Sequence, residues 1–104
     1  MSALLLLSTF PDAEAARRIA GTLVEERLAA CANLLPGAES IYRWEGKVER
    51  AAEVVAFFKT TEACRAHFEA RLKELHPYEV PEILVLRPEG GLPAYLRWIE
   101  ENVG

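Results

Sequence analysis

Cysteine is scarce in this 104-residue chain: only Cys31 and Cys64 occur, and neither belongs to a Cys-x-x-Cys pair or to any spacing that frames a structural zinc site. So low a count fits a reducing compartment, and the expectation is a cytoplasmic location. Long hydrophobic runs are missing as well. The longest uncharged apolar stretch, Ala3 to Leu7, is far too short for a bilayer span and lacks the basic flank of a secretory signal, so no membrane partner is expected. Positive charge is not in excess. Twelve Lys and Arg against 16 Asp and Glu leave a formal net charge of −4, which argues against a nucleic-acid partner, because phosphate binding needs a concentrated surplus of basic residues. There is also no Gly-rich phosphate loop after the first strand, no nucleophile elbow and no His-Glu-x-x-His. With no nucleophile paired to a base, the chain does not read as an enzyme.

What is present is apolar patterning. Hydrophobic residues make up 51% of the chain, enough to bury the core of one domain spanning 1–104 without staples. The block Ala3-Leu4-Leu5-Leu6-Leu7 has no polar alternation and predicts a strand covered on both sides or buried at the centre of a sheet. Thr9-Phe10-Pro11-Asp12 places a hydroxyl three residues before an acid, as in a capping box, so a helix is expected to run from there to about Leu28. Its apolar face is Ala16, Ile19, Ala20, Leu23 and Val24. From Cys31 a strand runs to Leu35, is interrupted at Pro36-Gly37 and resumes over Ser40 to Trp44, which predicts a bend or bulge. Glu45-Gly46-Lys47 is the turn of a long hairpin whose second strand covers Val48 to Thr60.

Thr61 can cap a second helix with Cys64, Phe68, Leu72 and Leu75 along one stripe, ended by Pro77. The segment from His76 to Glu82 holds two prolines and leads as an extended chain into the apolar strand Ile83 to Leu86. A last helix starts near Pro93. The order is β-α-β-β-α-β plus a C-terminal helix, the pattern of an α+β ferredoxin-like sandwich with both main helices on one face of an antiparallel sheet. One sheet face is left over. With Tyr42, Trp44, Phe57 and Phe58 on a protruding hairpin, the expectation is a homo-oligomer in which Tyr42 and Trp44 are interface anchors.

Among residues that could carry chemistry, His76 sits at a helix end in a loop stiffened by prolines and is a candidate metal ligand, the bland alternative being a helix C-cap. Cys31 is a candidate soft ligand for copper or zinc, although its neighbours Ala30 and Ala32 suit tight packing equally well. Lys59, Tyr78, Glu79 and Glu82 could converge on a polar pocket.

Four blocks, Glu25-Glu26-Arg27-Leu28-Ala29-Ala30-Cys31-Ala32-Asn33, Tyr42-Arg43-Trp44-Glu45-Gly46-Lys47, Lys59-Thr60-Thr61 and His76-Pro77-Tyr78-Glu79-Val80-Pro81-Glu82, together resemble the CutA divalent-cation tolerance family. The final helix with Tyr95-Leu96-x-Trp98 fits as well. The resemblance implies a ferredoxin-like subunit in a homotrimer similar to the PII signal proteins, with the hairpin contributing to intersubunit sheets. It implies tolerance of copper or other divalent cations by metal binding, with no catalytic activity; animal members are linked to anchoring of acetylcholinesterase. In some members copper is assigned to a cysteine at the position of Ser8 and to histidines at positions 75 and 76, of which this chain keeps His76 alone. The alternative is a PII-like sensor that binds a small molecule at subunit clefts.

Overall fold

The computed structural model describes residues 2–104. Strand β1, Ala3–Phe10, lies inside a four-stranded antiparallel sheet. On one side it pairs with β3, Lys47–Thr61, and on the other with the three-residue edge strand β4, Leu84–Leu86. Strand β2, Cys31–Trp44, forms the opposite edge and pairs only with β3, giving the order β2-β3-β1-β4 of a ferredoxin-like fold.

Helices α1, Ala13–Glu25, and α2, Arg65–Leu75, cover one face. The even positions of β1 and β3 point there: Leu6, Phe10, Val54, Ala56 and Phe58 pack against Ala16, Ile19, Leu23, Phe68 and Leu72 in the main core. Phe58 is therefore a core residue and not part of an exposed aromatic hairpin, because adjacent strand residues point to opposite faces and only Phe57 is left on the other side. Helix α3, Pro93–Glu101, packs through Leu96 and Ile99 on Ala3 and Ala30, at one end of that second face.

The helix boundaries differ from expectation at both ends of α1. The N-cap is Asp12, whose carboxylate accepts from the Ala15 N–H at 2.8 Å, while Thr9 remains in β1. The helix stops at Glu25, short of Leu28, because Arg27 adopts φ +61° and the N–H groups of Leu28 and Arg27 turn back onto the carbonyls of Leu23 and Val24. Arg27 then holds the chain end, its guanidinium donating to the carbonyls of Glu101 and Gly104. Thr61 does precede the second helical segment but makes no side-chain cap bond; a single 3₁₀ turn, Glu62–Cys64, leads into α2.

The hairpin behaves as its sequence dictates. Glu45 and Gly46 both have positive φ, as a two-residue turn joining twisted strands requires. Between Leu35 and Ala38 the pairing shifts: Leu35 faces Val55 but Ala38 faces Glu53, so β2 carries one extra residue, accommodated at Gly37 with φ +87°. The last strand is shorter than the expected Ile83 to Leu86, since Pro77 and Pro81 keep the preceding segment out of the ladder. It is not solidly buried either: Leu84 and Leu86 are 54% and 42% exposed on the face that α1 and α2 do not cover.

Two buried hydroxyls make a clean contrast. Thr60 Oγ1 donates to the Leu28 carbonyl at 2.7 Å, whereas Ser8 Oγ is fully buried without a partner among the described residues. Thr60→Val should cost about 1–3 kcal/mol by stranding that carbonyl. Ser8→Ala should leave the melting midpoint unchanged or raise it, because it removes a group that lost water and gained nothing. Calorimetric melting of both variants checks this; a loss in Ser8→Ala equal to that in Thr60→Val would contradict it.

Candidate functional site

The bulge decides which side chains meet. Before it, the odd residues Cys31, Asn33 and Leu35 share the uncovered face with Val55, Phe57 and Lys59; after it, the even residues Ser40, Tyr42 and Trp44 do, beside Ala51, Glu49 and Lys47. Tyr42 and Trp44 are thus carried onto the same side as Glu53 and Thr9. The proline-stiffened segment after α2 runs along that side and forms one wall of a half-open cavity of about 380 Å³ lined by Thr9, Tyr42, Trp44, Glu53, Tyr78, Glu79, Val80 and Glu82.

Tyr78 is its best-fixed wall. Its hydroxyl donates to Glu53 Oε2 at 2.7 Å, and its ring lies 4.8 Å from that of His76. Burial, and then the adjacent Glu53 carboxylate, push the Tyr78 hydroxyl well above the usual phenol range, so it remains a donor at every physiological pH. Tyr42 and Trp44 stay 44% and 54% exposed in the single chain. The residues expected as interface anchors therefore also form pocket walls.

His76 lies behind the pocket and is only 7% exposed. It is the C-cap of α2, its N–H returning to the Leu72 carbonyl, and its ring stacks on Phe10 with centroids 4.8 Å apart. Both ring nitrogens are engaged: Nε2 lies 2.8 Å from the Thr9 carbonyl and Nδ1 accepts from the Tyr78 N–H at 3.1 Å. A carbonyl only accepts and an N–H only donates, so this pairing selects the neutral tautomer with the proton on Nε2. Burial lowers the His76 pKa, outweighing the opposing effects of the Thr9 bond and Glu53. A metal would have to displace one of these two bonds.

Cys31 and His76 are not brought together. Cys31 lies level with Leu5 on β1 and His76 with Thr9, four residues or about 13 Å further along the strand. Among the described residues no group of three or more His, Cys, Asp or Glu is placed to hold a metal ion. Lys59 is separated from the pocket for the same reason, which corrects the expectation that it would converge with Tyr78 and Glu82. It joins Cys31 near α3, with Nζ donating to Asn33 and lying 5.7 Å from the Tyr95 ring centroid; Cys31 Sγ is 3.9 Å from the Tyr95 hydroxyl. Partial burial opposes the Lys59 charge, but bonding to Tyr95 and the nearby Cys31 outweigh it and raise the pKa. Glu53, Thr9 and Val80 are the pocket residues that sequence reasoning missed. The bulge at Pro36-Gly37 was the one available signal, since it sets the side on which Tyr42 and Trp44 fall.

Sheet order and hairpin define a ferredoxin-like protein, with a cleft of about 380 Å³ between the hairpin and the segment after α2. Residues 4–102 match the family described as CutA1 divalent ion tolerance protein, and the chain belongs to that family. It is 50% identical over 99 residues to the divalent-cation tolerance protein CutA of Thermus thermophilus, covering 95% of this chain and 96% of the relative. The crystal structure of CutA from Xylella fastidiosa superposes with a TM-score of 0.97 at 42% identity over the whole of both chains. That of Archaeoglobus fulgidus, described as a periplasmic divalent cation tolerance protein, gives 0.94 at 38% identity, covering 98% of this chain and 99% of that one. The last comparison overturns the expected cytoplasmic location. A protein of this fold is described as periplasmic, and two unpaired cysteines are compatible with either compartment. No helix among the described residues is long and apolar enough to cross a membrane.

The buried, neutral His76 makes stability depend on pH. Its folded pKa lies below the ordinary value of 6.5, so the unfolded chain binds the proton more readily, and stability present above pH 6.5 is lost as the pH falls below it. The melting midpoint should drop over the pH window that opens below about 6.5. In His76→Gln, which cannot titrate, the drop over that window should be smaller; an unchanged profile would assign it to other groups.

Proposed function

We propose that the chain is a homotrimeric divalent-cation tolerance protein that works as a binding module, not as an enzyme, with the hairpin cavity as its ligand site. The observation that carries this is the uncovered sheet face. Leu35, Leu84 and Leu86, all more than 40% exposed, are continuous with the half-buried Leu5, Leu7 and Phe57, and the cavity opens at the hairpin end of the same face. A contiguous apolar surface of this kind belongs to an interface, and copies of one chain close it by symmetry. The free outer edge of the long β2 strand offers further pairing. Three copies is the number that the family resemblance implies. On this reading Tyr42 and Trp44 serve both the cavity and the neighbouring subunit.

A copper or other divalent-cation site at His76 is the other reading, supported by the description of the family as divalent ion tolerance proteins. It requires His76 to give up the Tyr78 N–H or the Thr9 carbonyl and to take further ligands from another subunit.

Sedimentation at micromolar concentration should give three times the 11.6 kDa chain mass. Leu86→Glu places a charge on the open face without touching the helix-side core, and should shift that mass to the single chain. A wild-type monomer, or an assembly indifferent to Leu86→Glu, would overturn the assembly surface.

A further inference from the structure

The lining of the hairpin cavity is chemically one-sided. Glu53, Glu79 and Glu82 contribute three carboxylates, Tyr42, Trp44 and Tyr78 three aromatic rings, and no Lys, Arg or His lines it. Thr9, 8% exposed, adds a hydroxyl to the lining; its carbonyl is already taken by His76. An anionic ligand would meet uncompensated repulsion here, and a neutral apolar ligand would strip water from carboxylates without replacing it. A cation is the class of ligand whose charge this lining complements.

Size then separates two kinds of cation. A bare divalent ion needs several oxygens converging within about 2.6 Å of one point. The three glutamates do not form such a group, and Glu53 is already engaged by the Tyr78 hydroxyl at 2.7 Å. A space of about 380 Å³ is that of a small organic molecule. Aromatic rings and carboxylates lining one cleft suit a large, weakly hydrated cation, which is attracted to the negative ring faces and asks for no short coordination bonds.

We propose that the cavity binds an organic cation, a quaternary ammonium or alkylated amine head, with Tyr42, Trp44 and Tyr78 around its carbon shell and the Glu79 and Glu82 carboxylates supplying the opposite charge. This inference rests on the cavity being the ligand site, and it specifies the class of ligand. Trp44 and Tyr42 come from the hairpin and Tyr78 to Glu82 from the segment after α2, so occupation would tie the hairpin to the body of the protein.

The test is calorimetric titration of the full chain with choline, with its neutral carbon isostere 3,3-dimethyl-1-butanol and with copper(II) ions, at fixed ionic strength. Choline should bind saturably, and the isostere roughly tenfold or more weakly, since only its charge differs. Glu79→Gln, on the exposed segment, should weaken choline severalfold and leave the isostere unaffected. Trp44→Leu should weaken both, with the assembly mass measured on the same sample to exclude a loss of quaternary structure. Equal binding of choline and the isostere would overturn the cationic class while leaving the cavity as the ligand site. Copper binding tighter than choline with the same dependence on Glu79 would replace the organic cation by a metal ion. Absence of binding by all three probes would sink both the inference and the cavity as a ligand site.

Discussion

Side chains alternate across a strand with period two, so the single residue inserted in β2 between Leu35 and Ala38 transfers the uncovered sheet face from odd to even positions. Without that insertion Tyr42 and Trp44 would point to the helix side of the hairpin, away from Glu53, Thr9 and the extended segment after α2. The cavity exists because the bulge and the two prolines act on the same end of the sheet. The bulge turns the aromatic residues, and Pro77 and Pro81 hold Tyr78 to Glu82 out of the ladder and free to form the facing wall.

The same alternation leaves one face of the sheet open in the single chain. Leu6, Ala56 and Phe58 are fully buried beneath α1 and α2, while Leu5, Leu7 and Phe57 stay only half-buried because α3 covers just the end of their face near Ala3 and Ala30. A helix of nine residues cannot span the rest. On the proposed reading the second layer comes from other copies of the chain, through the surface this face already carries.

Most of the architecture was legible because it is written in local signals: the uninterrupted apolar run of β1, the Glu45-Gly46 turn, the break at Pro36-Gly37 and the proline that ends α2. The misreadings have local causes as well. Thr9-x-x-Asp12 mimics a capping box, but Asp12 caps and Thr9 is needed in the strand; Arg27 in the left-handed region ended α1 where no glycine announced a stop. The site was less legible because its contacts are distant. Tyr78 finds Glu53 across 25 positions and His76 finds the Thr9 carbonyl across 67, so neither the satisfied imidazole nor the acidic partner could be read from spacing. Lys59 was misplaced because its distance from Tyr78 depends on strand register, which separates them along the sheet.

The central claim is that the open face and the hairpin are covered by other copies of the chain. Hydrogen–deuterium exchange addresses it directly. In the single chain the hairpin beyond Ala38 pairs only with itself, and an isolated two-stranded ribbon is marginally stable in water, so its amides should exchange quickly. The account predicts that amides in residues 40–52 are slowed in the wild type to rates approaching those of central strand β1, and that dilution into the dissociated state releases them while β1 stays protected. Hairpin amides that exchange rapidly at every concentration would contradict it.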